Sequence, residues 1–331
     1  MYIAIILVLI AGALFCLYKG VTGRRPFFIV LGPALGLFTL VFFGGMSFWG
    51  EALWFGSAGY ADRFWKVITT QAVMAAAGCL LGAGLAALLL SLPGRNRGRA
   101  GWWAVGLAGL VGLSWGLSNW LPWLRFANGV EAGTTDPILG MDAGFYLFTL
   151  PFLDALFLLA FWVVLISLVA LGASLFFRRE EREVRLARAE ELDPGCCRSF
   201  YLCGALFLLV LAWGKYLGRF HLLYSRWGVV HGPGWTDAHI RLPMYWLVVA
   251  ITALLGLSLL VPPLRRRLLP PALRRRTGDI PAPLRHFGGN LAWMLLVWLG
   301  GLSIVPALVQ WLRVEPNEIT LESPYIAHNI R

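Results

Sequence analysis

Histidine and aspartate side chains gather in one polar stretch of an otherwise apolar chain, residues 219–243. Asp237 and His239 are two positions apart, and in an extended chain both would point to the same face. Together with His231 they could ligate zinc or another borderline metal, or relay protons, because histidine titrates near neutral pH. The spacing matches no recognised ligand motif, so hydrogen bonding within the loop is the alternative.

A second polar stretch, residues 126–154, carries carboxylates at turn-forming positions. Asp136 precedes Pro137, and Asp142 precedes Ala-Gly; aspartate in such positions often bonds its own downstream backbone. Two water-facing carboxylates could instead bind a cation, although no calcium-loop pattern is present. We expect this stretch and 219–243 to touch and to form one polar cap. The cap residues are predicted to be Asp136, Asp142, His221, Arg226 and Arg241.

Two charged side chains, Asp154 and Lys215, fall inside apolar stretches. A lone charge in hydrocarbon is costly, so such residues usually pair, face a cavity or take part in transport. The sequence therefore predicts a buried Asp154–Lys215 ion pair, with proton or ion coupling as the alternative.

The sequence contains no catalytic or cofactor-binding signature. It has no P-loop, G-x-S-x-G, H-E-x-x-H or C-x-x-C, and no dinucleotide fingerprint. We therefore expect no cofactor and favour a non-enzymatic role. The five cysteines are predicted within membrane spans or at their ends, which argues against structural disulfides.

The elements that must position these residues are predicted to be membrane-spanning helices. The 331 residues are 59% hydrophobic and 14% charged, with a mean hydropathy of +0.71, whereas soluble domains are about 25% charged. The sequence predicts an all-α fold, a polytopic transmembrane helical bundle with ordered extracytoplasmic loops. Eight stretches have spanning length: 2–18, 26–46, 65–92, 101–121, 145–176, 199–218, 242–262 and 287–311. We expect a transmembrane domain over 1–311 and the start of an extracytoplasmic segment over 312–331.

Lysine and arginine are concentrated in every second polar segment between these stretches. The basic segments include Lys19 to Arg25, Arg95 to Arg99, Arg178 to Arg188 and Arg265 to Arg276. The positive-inside rule places them in the cytoplasm, which predicts a plasma-membrane protein with both termini extracytoplasmic. The net charge of +11 follows from this distribution and does not indicate nucleic-acid binding. The expected partners are the lipid bilayer and anionic lipids at the cytoplasmic face; a protein partner or an oligomer stays open.

Three local patterns concern how helices pack and end. Small residues recur at four-residue spacing in one predicted span, at Ala104, Ala108, Gly112 and Gly116. This spacing favours close helix packing, with a glycine-lined groove as the alternative. Charge of alternating sign over 178–193 predicts a helical extension of the preceding span, which Pro194 ends. Aromatic and charged residues over 51–66 predict an interfacial helix.

Several segments resemble a known family, in the same order along the chain. They are Trp54-Phe55 through Gly59-Tyr60; Thr135 to Ile138 with Gly140, Asp142, Phe145-Tyr146 and Leu150 to Leu153; Leu222 to Ser225; Thr236-Asp237 with His239; Pro306 to Gln310; Val314 to Glu318; and Pro324 to Ile326. Together they resemble Uncharacterised Protein Family 0182, large multi-pass membrane proteins of bacteria and some archaea, over 45–331.

The resemblance implies a membrane protein of no established activity, so it supplies no active site to carry over. Family members typically have a large extracytoplasmic region after the last span and usually fewer spans. The resemblance thus implies the membrane part of a longer protein or a truncated product, with the first span as an addition. Where the family has tyrosine before Thr-Asp, this chain has Trp235.

Three functions are consistent with the sequence. The favoured one is a membrane scaffold or anchor for an extracytoplasmic domain or complex. The second is a transporter or channel that uses Asp154 and Lys215, although the sequence has no inverted repeat. The third is an interfacial membrane enzyme with an outer-face site built from Asp136, Asp142, Asp237 and His239.

Overall fold

The computed structural model describes residues 2–91, 99–180, 183–186, 193–227, 231–271 and 280–330. The chain divides into two compact units, Met1–Thr70 and Gln71–Arg331. Apart from one two-stranded hairpin, the regular structure of the described residues is helical. The predicted all-α class is therefore confirmed.

The first unit contains α1 (Tyr2–Gly23), α2 (Pro26–Ser57) and the start of α3 (Ala61–Ser91). The chain turns between α1 and α2 at Arg24, whose φ of 47° is positive, and Pro26 opens α2, where its missing N–H would have had no helical partner. Helices α1 and α2 pack closely, since a Cβ added to Gly32 would lie 2.8 Å from the carbonyl oxygen of Ala13.

The predicted interfacial helix over 51–66 is wrong, because α2 continues through its first part to Ser57. The helix then ends at Gly59, which takes a left-handed φ of 77°. The N–H of Tyr60 donates to the carbonyl of Phe55 at 2.8 Å, and that of Gly59 to Gly56 at 3.2 Å. This pair of bonds is a Schellman helix end, and α3 begins directly after it.

The second unit holds the remaining elements. Within the described residues they are α4 (Arg99–Ser118), α5 (Trp120–Ala127), a π-helical turn (Phe145–Thr149) continuous with α6 (Leu150–Phe176), β1 (Phe177–Glu180), β2 (Glu183–Leu186), α7 (Pro194–Gly218), a 3-10 turn (Phe220–Tyr224), a π-helical turn (Asp237–Arg241) leading into α8 (Leu242–Ser258), α9 (Pro262–Arg267), α10 (Ala282–Leu299), a π-helical turn (Gly300–Ile304), α11 (Val305–Val309), a π-helical turn (Gln310–Val314), a 3-10 turn (Glu315–Asn317) and α12 (Glu318–Ile330).

Seven helical segments of the described chain are long and apolar enough to cross a membrane. The pair α4 and α5, bent by 59°, supplies an eighth if it forms one span. This agrees with the eight stretches predicted from the sequence. The last segment is longer than expected, since it runs from Ala282 to Ala327 through short π-helical turns.

Helices α3 and α4 are in backbone contact within the second unit. A Cβ added to Gly112 would lie 1.9 Å from the carbonyl oxygen of Gly78, and one added to Gly116 would lie 2.0 Å from that of Met74. Only glycine fits at such distances, so the small-residue pattern serves close packing, as predicted.

One apolar core of the second unit lies where α3, α4, α6 and α7 meet. Leu168, Phe200 and Phe207 form part of this core. Polar contacts join α10 to α8: the amide of Asn290 donates to the carbonyl of Leu255 at 2.7 Å and to Ser258 Oγ at 2.8 Å, and the indole N–H of Trp298 donates to Thr252 Oγ1 at 3.0 Å. A buried amide satisfied in this way fixes the two helices relative to each other.

The predicted helical extension over 178–193 is wrong for the part described. Strands β1 and β2 pair antiparallel, with Phe177 opposite Leu186 and Glu180 opposite Glu183. Antiparallel pairing satisfies the backbone groups of these residues between the two strands, where a helix would have satisfied them within the segment. Pro194 does not end a helix but begins α7, whose first turn is capped by the Asp193 side chain accepting from Gly195 N–H at 3.0 Å.

Candidate functional site

The two polar stretches expected to form a cap lie against each other in the second unit. The rings of Phe145 and Phe220 are 4.8 Å apart, and both pack with buried Tyr146. A cavity of about 270 Å³ lies between the stretches, with Asp136 and Leu223 in its lining. The expected contact between 126–154 and 219–243 is therefore present.

Asp142 is held by the backbone of its own loop. Its Oδ1 accepts from Ala132 N–H at 2.9 Å and from Gly144 N–H at 2.6 Å, and its Oδ2 accepts from Gly133 N–H at 2.9 Å. The bond from Ala132 is the largest influence on the pKa of Asp142, and with the other two it lowers this pKa below its ordinary value despite some desolvation. Such a carboxylate organises the loop and has little capacity left for a cation.

Asp136 closes the neighbouring turn. Its Oδ2 accepts from Leu139 N–H at 2.6 Å and lies 3.5 Å from the hydroxyl of Tyr146. Its backbone N–H donates to Met141 at 2.8 Å. These contacts agree with the prediction that Asp136 forms a turn by bonding its own downstream backbone.

The predicted Asp154–Lys215 ion pair is wrong, because each side chain has a different partner. Asp154 Oδ2 lies 3.0 Å from Nε2 of His221, whereas Lys215 Nζ lies 4.1 Å from the ring centroid of Trp298. The hydrogen bond to Asp154 raises the pKa of His221 above its ordinary value, and partial burial opposes this. Sequence position could not decide between these partners, since both cations lie near the same end of α7.

Asp237 is the most deeply buried carboxylate of the predicted site, with 1% exposure. Its Oδ1 lies 2.7 Å from the guanidinium of Arg241 one helical turn later. Arg241 also donates to Ser225 Oγ at 3.4 Å and lies over the ring of Trp227. The pair thus ties the start of α8 to the loop after α7, while Arg226 of the predicted cap is exposed.

The predicted metal site is not assembled. Within the described residues, no three His, Cys, Asp or Glu side chains come close enough to hold a metal ion. Asp237 and His239 belong to a π-helical turn, so they do not share a face as they would in an extended strand. His239 instead stacks on Trp235 at 4.6 Å and bonds the hydroxyl of Tyr325 at 3.2 Å, and His231 is exposed.

Sequence reasoning missed the partners that the C-terminal segment supplies. The carboxylate of Glu322 is 2% exposed and accepts from Trp235 N–H at 3.2 Å, and the Thr236 hydroxyl donates to Gln310 Oε1. We call these two contacts the C-terminal clasp. A Cβ at Gly234 would lie 2.8 Å from Glu322 Oε2, so this glycine allows the carboxylate to approach.

A signal for the clasp was present in the sequence. Gln310 and the Thr236-Asp237 pair stand in two of the segments that carry the family resemblance, and Glu322 falls just before a third at Pro324. Reading those segments as partners in space would have predicted the contact.

Comparison with known proteins identifies the family of the chain. The family model described as "Uncharacterised protein family (UPF0182)" matches residues 28–331. The chain belongs to UPF0182. The predicted resemblance is thus confirmed, and the clasp joins segments that lie within the UPF0182 match.

Curated UPF0182 proteins of several bacteria are similar to this chain. One from Synechococcus sp. (strain JA-3-3Ab) is 34% identical over 324 residues, which cover 93% of this chain and 36% of the relative. One from Geobacter sp. (strain M21) is 32% identical, covering 86% and 33%, and one from Cupriavidus necator is 33% identical, covering 84% and 31%. The chain therefore spans about a third of the length of these relatives. No solved structure matches it.

Proposed function

We propose that this chain is a membrane-embedded scaffold that holds an extramembrane region in a fixed position, with its histidine-bearing end facing away from the cytoplasm. The observation that carries the proposal is the C-terminal clasp. It fixes the C-terminal part of the last long apolar segment, Ala282–Ala327, to the loop before α8 through partly buried polar contacts. A region that follows this segment in a longer relative would therefore start in a defined direction.

Two further observations support a scaffold. The UPF0182 relatives are about three times as long as the part this chain matches, so in them a large region remains to be positioned. In addition, the carboxylates Asp142 and Asp237 are engaged by loop backbone and by Arg241, which is what holding a loop requires and what an acid–base catalyst would not need.

The clasp can be tested in this chain with a matched pair of variants. Glu322→Ala removes the acceptor of the partly buried Trp235 N–H, and loss of such a hydrogen bond costs about 0.5–1.5 kcal/mol. We expect faster hydrogen–deuterium exchange over 231–241 in this variant. Glu318→Ala, one turn earlier on α12 and exposed, should leave the exchange unchanged; equal exchange in both variants would rule out the clasp.

The scaffold role itself needs a full-length relative. In the Synechococcus protein, spin labels placed on the loop before α8 and in the extramembrane region should give a narrow distance distribution. A broad distribution would mean that the membrane part does not fix the other region.

The alternative function is transport, and reconstitution into liposomes distinguishes it from a scaffold role. Proteoliposomes that contain this chain should pass protons and alkali cations no faster than protein-free liposomes. A protein-dependent flux that Asp154→Asn abolishes would overturn the scaffold in favour of a transporter.

A further inference from the structure

A second polar region lies at the other end of α7, away from the clasp. It is a pocket of about 470 Å³ between the start of α7 and the segment that joins α8 to α9. We call it the basic pocket; it is lined by Pro194, Cys197, Arg198, Tyr201, Leu202, Leu259, Leu260 and Arg265. The scaffold proposal does not use it.

Arg265 lines this pocket. Its Cζ lies over the ring of Tyr201, 3.9 Å from the ring centroid, and one N–H group donates to the carbonyl of Leu259 at 3.4 Å. A guanidinium has five N–H donors, so stacking fixes its orientation while leaving donors for an anion. Tyr201 is itself held, since its hydroxyl bonds Nδ1 of His286 at 2.9 Å.

The charge around the pocket is positive. Arg198 follows the first turn of α7 and lines the same space, and both Arg266 and Arg285 lie close enough to Tyr201 to act on it electrostatically. The Asp193 carboxylate beside the pocket caps the start of α7 by accepting from Gly195 N–H. The arginines in the pocket lining, Arg198 and Arg265, supply its positive charge.

The rest of the pocket lining is apolar, which favours an anion that carries an apolar group over a free inorganic anion. Leu202, Leu259 and Leu260 form one side of the pocket, and Leu260 is 43% exposed. A free inorganic anion gains nothing from such a wall, whereas the glycerol and acyl part of a lipid buries its surface there. Basic pockets between membrane helices bind phospholipid headgroups in this way.

We propose that the basic pocket binds the phosphate group of an anionic phospholipid, with Arg198 and Arg265 as its ligands and the leucine side against its acyl chains. Paired N–H groups of arginine match the geometry of phosphate oxygens. The proposal stands independently of the scaffold role, because it concerns the opposite end of α7.

Native mass spectrometry of the detergent-solubilised protein tests it. With an equimolar mixture of phosphatidylglycerol and phosphatidylcholine, we expect the wild type to retain phosphatidylglycerol preferentially. In Arg198→Gln/Arg265→Gln this preference should fall by roughly tenfold or more, which corresponds to about 1.4 kcal/mol. Arg198→Lys/Arg265→Lys should keep part of it and so exclude a folding defect.

A control with the same change of charge separates a site from general attraction. Arg226→Gln/Arg267→Gln removes two exposed arginines outside the pocket and should retain phosphatidylglycerol as the wild type does. Equal loss in both double variants, or no loss in either, would overturn the site. Displacement of the lipid by millimolar inorganic phosphate would overturn the lipid as its ligand and assign the pocket to free phosphate.

Discussion

Acidic side chains in the loops of the second unit satisfy backbone N–H groups that no helix or strand pairs. Aspartate can accept several such N–H groups at once, which fixes the backbone of a loop that is largely exposed. Asp142 accepts three. This explains why carboxylates are frequent in these loops without forming a metal site.

The first prediction concerns acidification of the loop around Asp142. The pKa of Asp142 in the folded protein lies below its value in the unfolded chain. The ionised carboxylate therefore contributes its full stabilisation at pH values above about 3.9, the ordinary aspartate pKa, and this contribution is lost as the pH falls through the lowered pKa. Hydrogen exchange over 131–144 should therefore accelerate below this range. Asp142→Ala should exchange fast at every pH, and Glu131→Ala, exposed in the same loop, should behave as the wild type; a pH step that survives in Asp142→Ala would contradict this.

The second prediction concerns the His221–Asp154 pair, where the sign is opposite. The pKa of His221 is raised in the folded protein. The pair therefore stabilises the fold fully at pH values below about 6.5, the ordinary histidine pKa, and this stabilisation is lost as the pH rises through the raised pKa. Asp154→Asn removes the charge and should lower the midpoint at which His221 titrates. Histidine-selective NMR of the solubilised protein measures the titration midpoint of His221 in the wild type and in Asp154→Asn. Identical midpoints in the two proteins would show that the pair does not form.

Residue types were easier to predict from the sequence than residue partners. Asp154 and Lys215 were correctly singled out as polar groups in apolar helices, but the pairing was wrong, because whether Asp154 meets Lys215 or His221 depends on how the chain turns after α7. Asp237 was likewise found, while its partner Arg241 was placed in the cap without it. A pair one helical turn apart becomes visible only when the segment is known to be helical.

At the scale of elements, close packing of α3 on α4 depends on glycine at both sides of the contact. Their backbones approach so closely that a methyl group at Gly112 would overlap the carbonyl of Gly78. In a membrane, where lipid is as apolar as the helices, contact of this kind supplies much of the attraction between helices.

The third prediction follows from that contact. Gly112→Ala and Gly116→Ala should each force α3 and α4 apart and destabilise the protein by about 1–3 kcal/mol, the usual cost of overpacking. Gly84→Ala and Gly106→Ala are matched controls on the same two helices, because a Cβ there meets nothing within 4 Å; alanine's higher helix propensity should leave them neutral or slightly stabilised. Thermal unfolding in detergent ranks the stability of the four variants. An equal loss of stability in all four would contradict the prediction, because it would show that close packing of α3 on α4 does not determine the effect.

Elements were predicted where burial dictates the pattern and missed where it does not. Long apolar stretches gave the spanning helices, because each must satisfy its backbone internally in a membrane. Strands β1 and β2 carry charges of alternating sign, a pattern that suits a strand as well as a helix. The clasp was missed for a third reason, since it joins residues more than seventy positions apart through partly buried contacts that no local pattern encodes.

At the scale of the molecule, opposite chemistry lies at the two ends of α7. The clasp and the residues His221, His231 and His239 lie beyond its last residue, Gly218, whereas the basic pocket lies at its first turn. If α7 crosses a membrane, these two ends face different compartments. The positive-inside rule then assigns the arginine-bearing end to the cytoplasm.

The fourth prediction tests this assignment directly with single-cysteine variants of a protein whose five native cysteines are replaced by serine or alanine. His231→Cys and Arg267→Cys both introduce an exposed thiol, one near each end of α8. On intact cells, a membrane-impermeant maleimide should label His231→Cys, and it should label Arg267→Cys only after the membrane is permeabilised. The expectation has an energetic basis, because placing one arginine in the middle of a spanning helix costs about 2.5–3.5 kcal/mol. Inverting the protein in the membrane would move several arginines through the bilayer and would therefore be costly. Labelling of both thiols from the same side before permeabilisation would mean that α8 does not cross, and the scaffold proposal would lose the direction in which it presents its outer end.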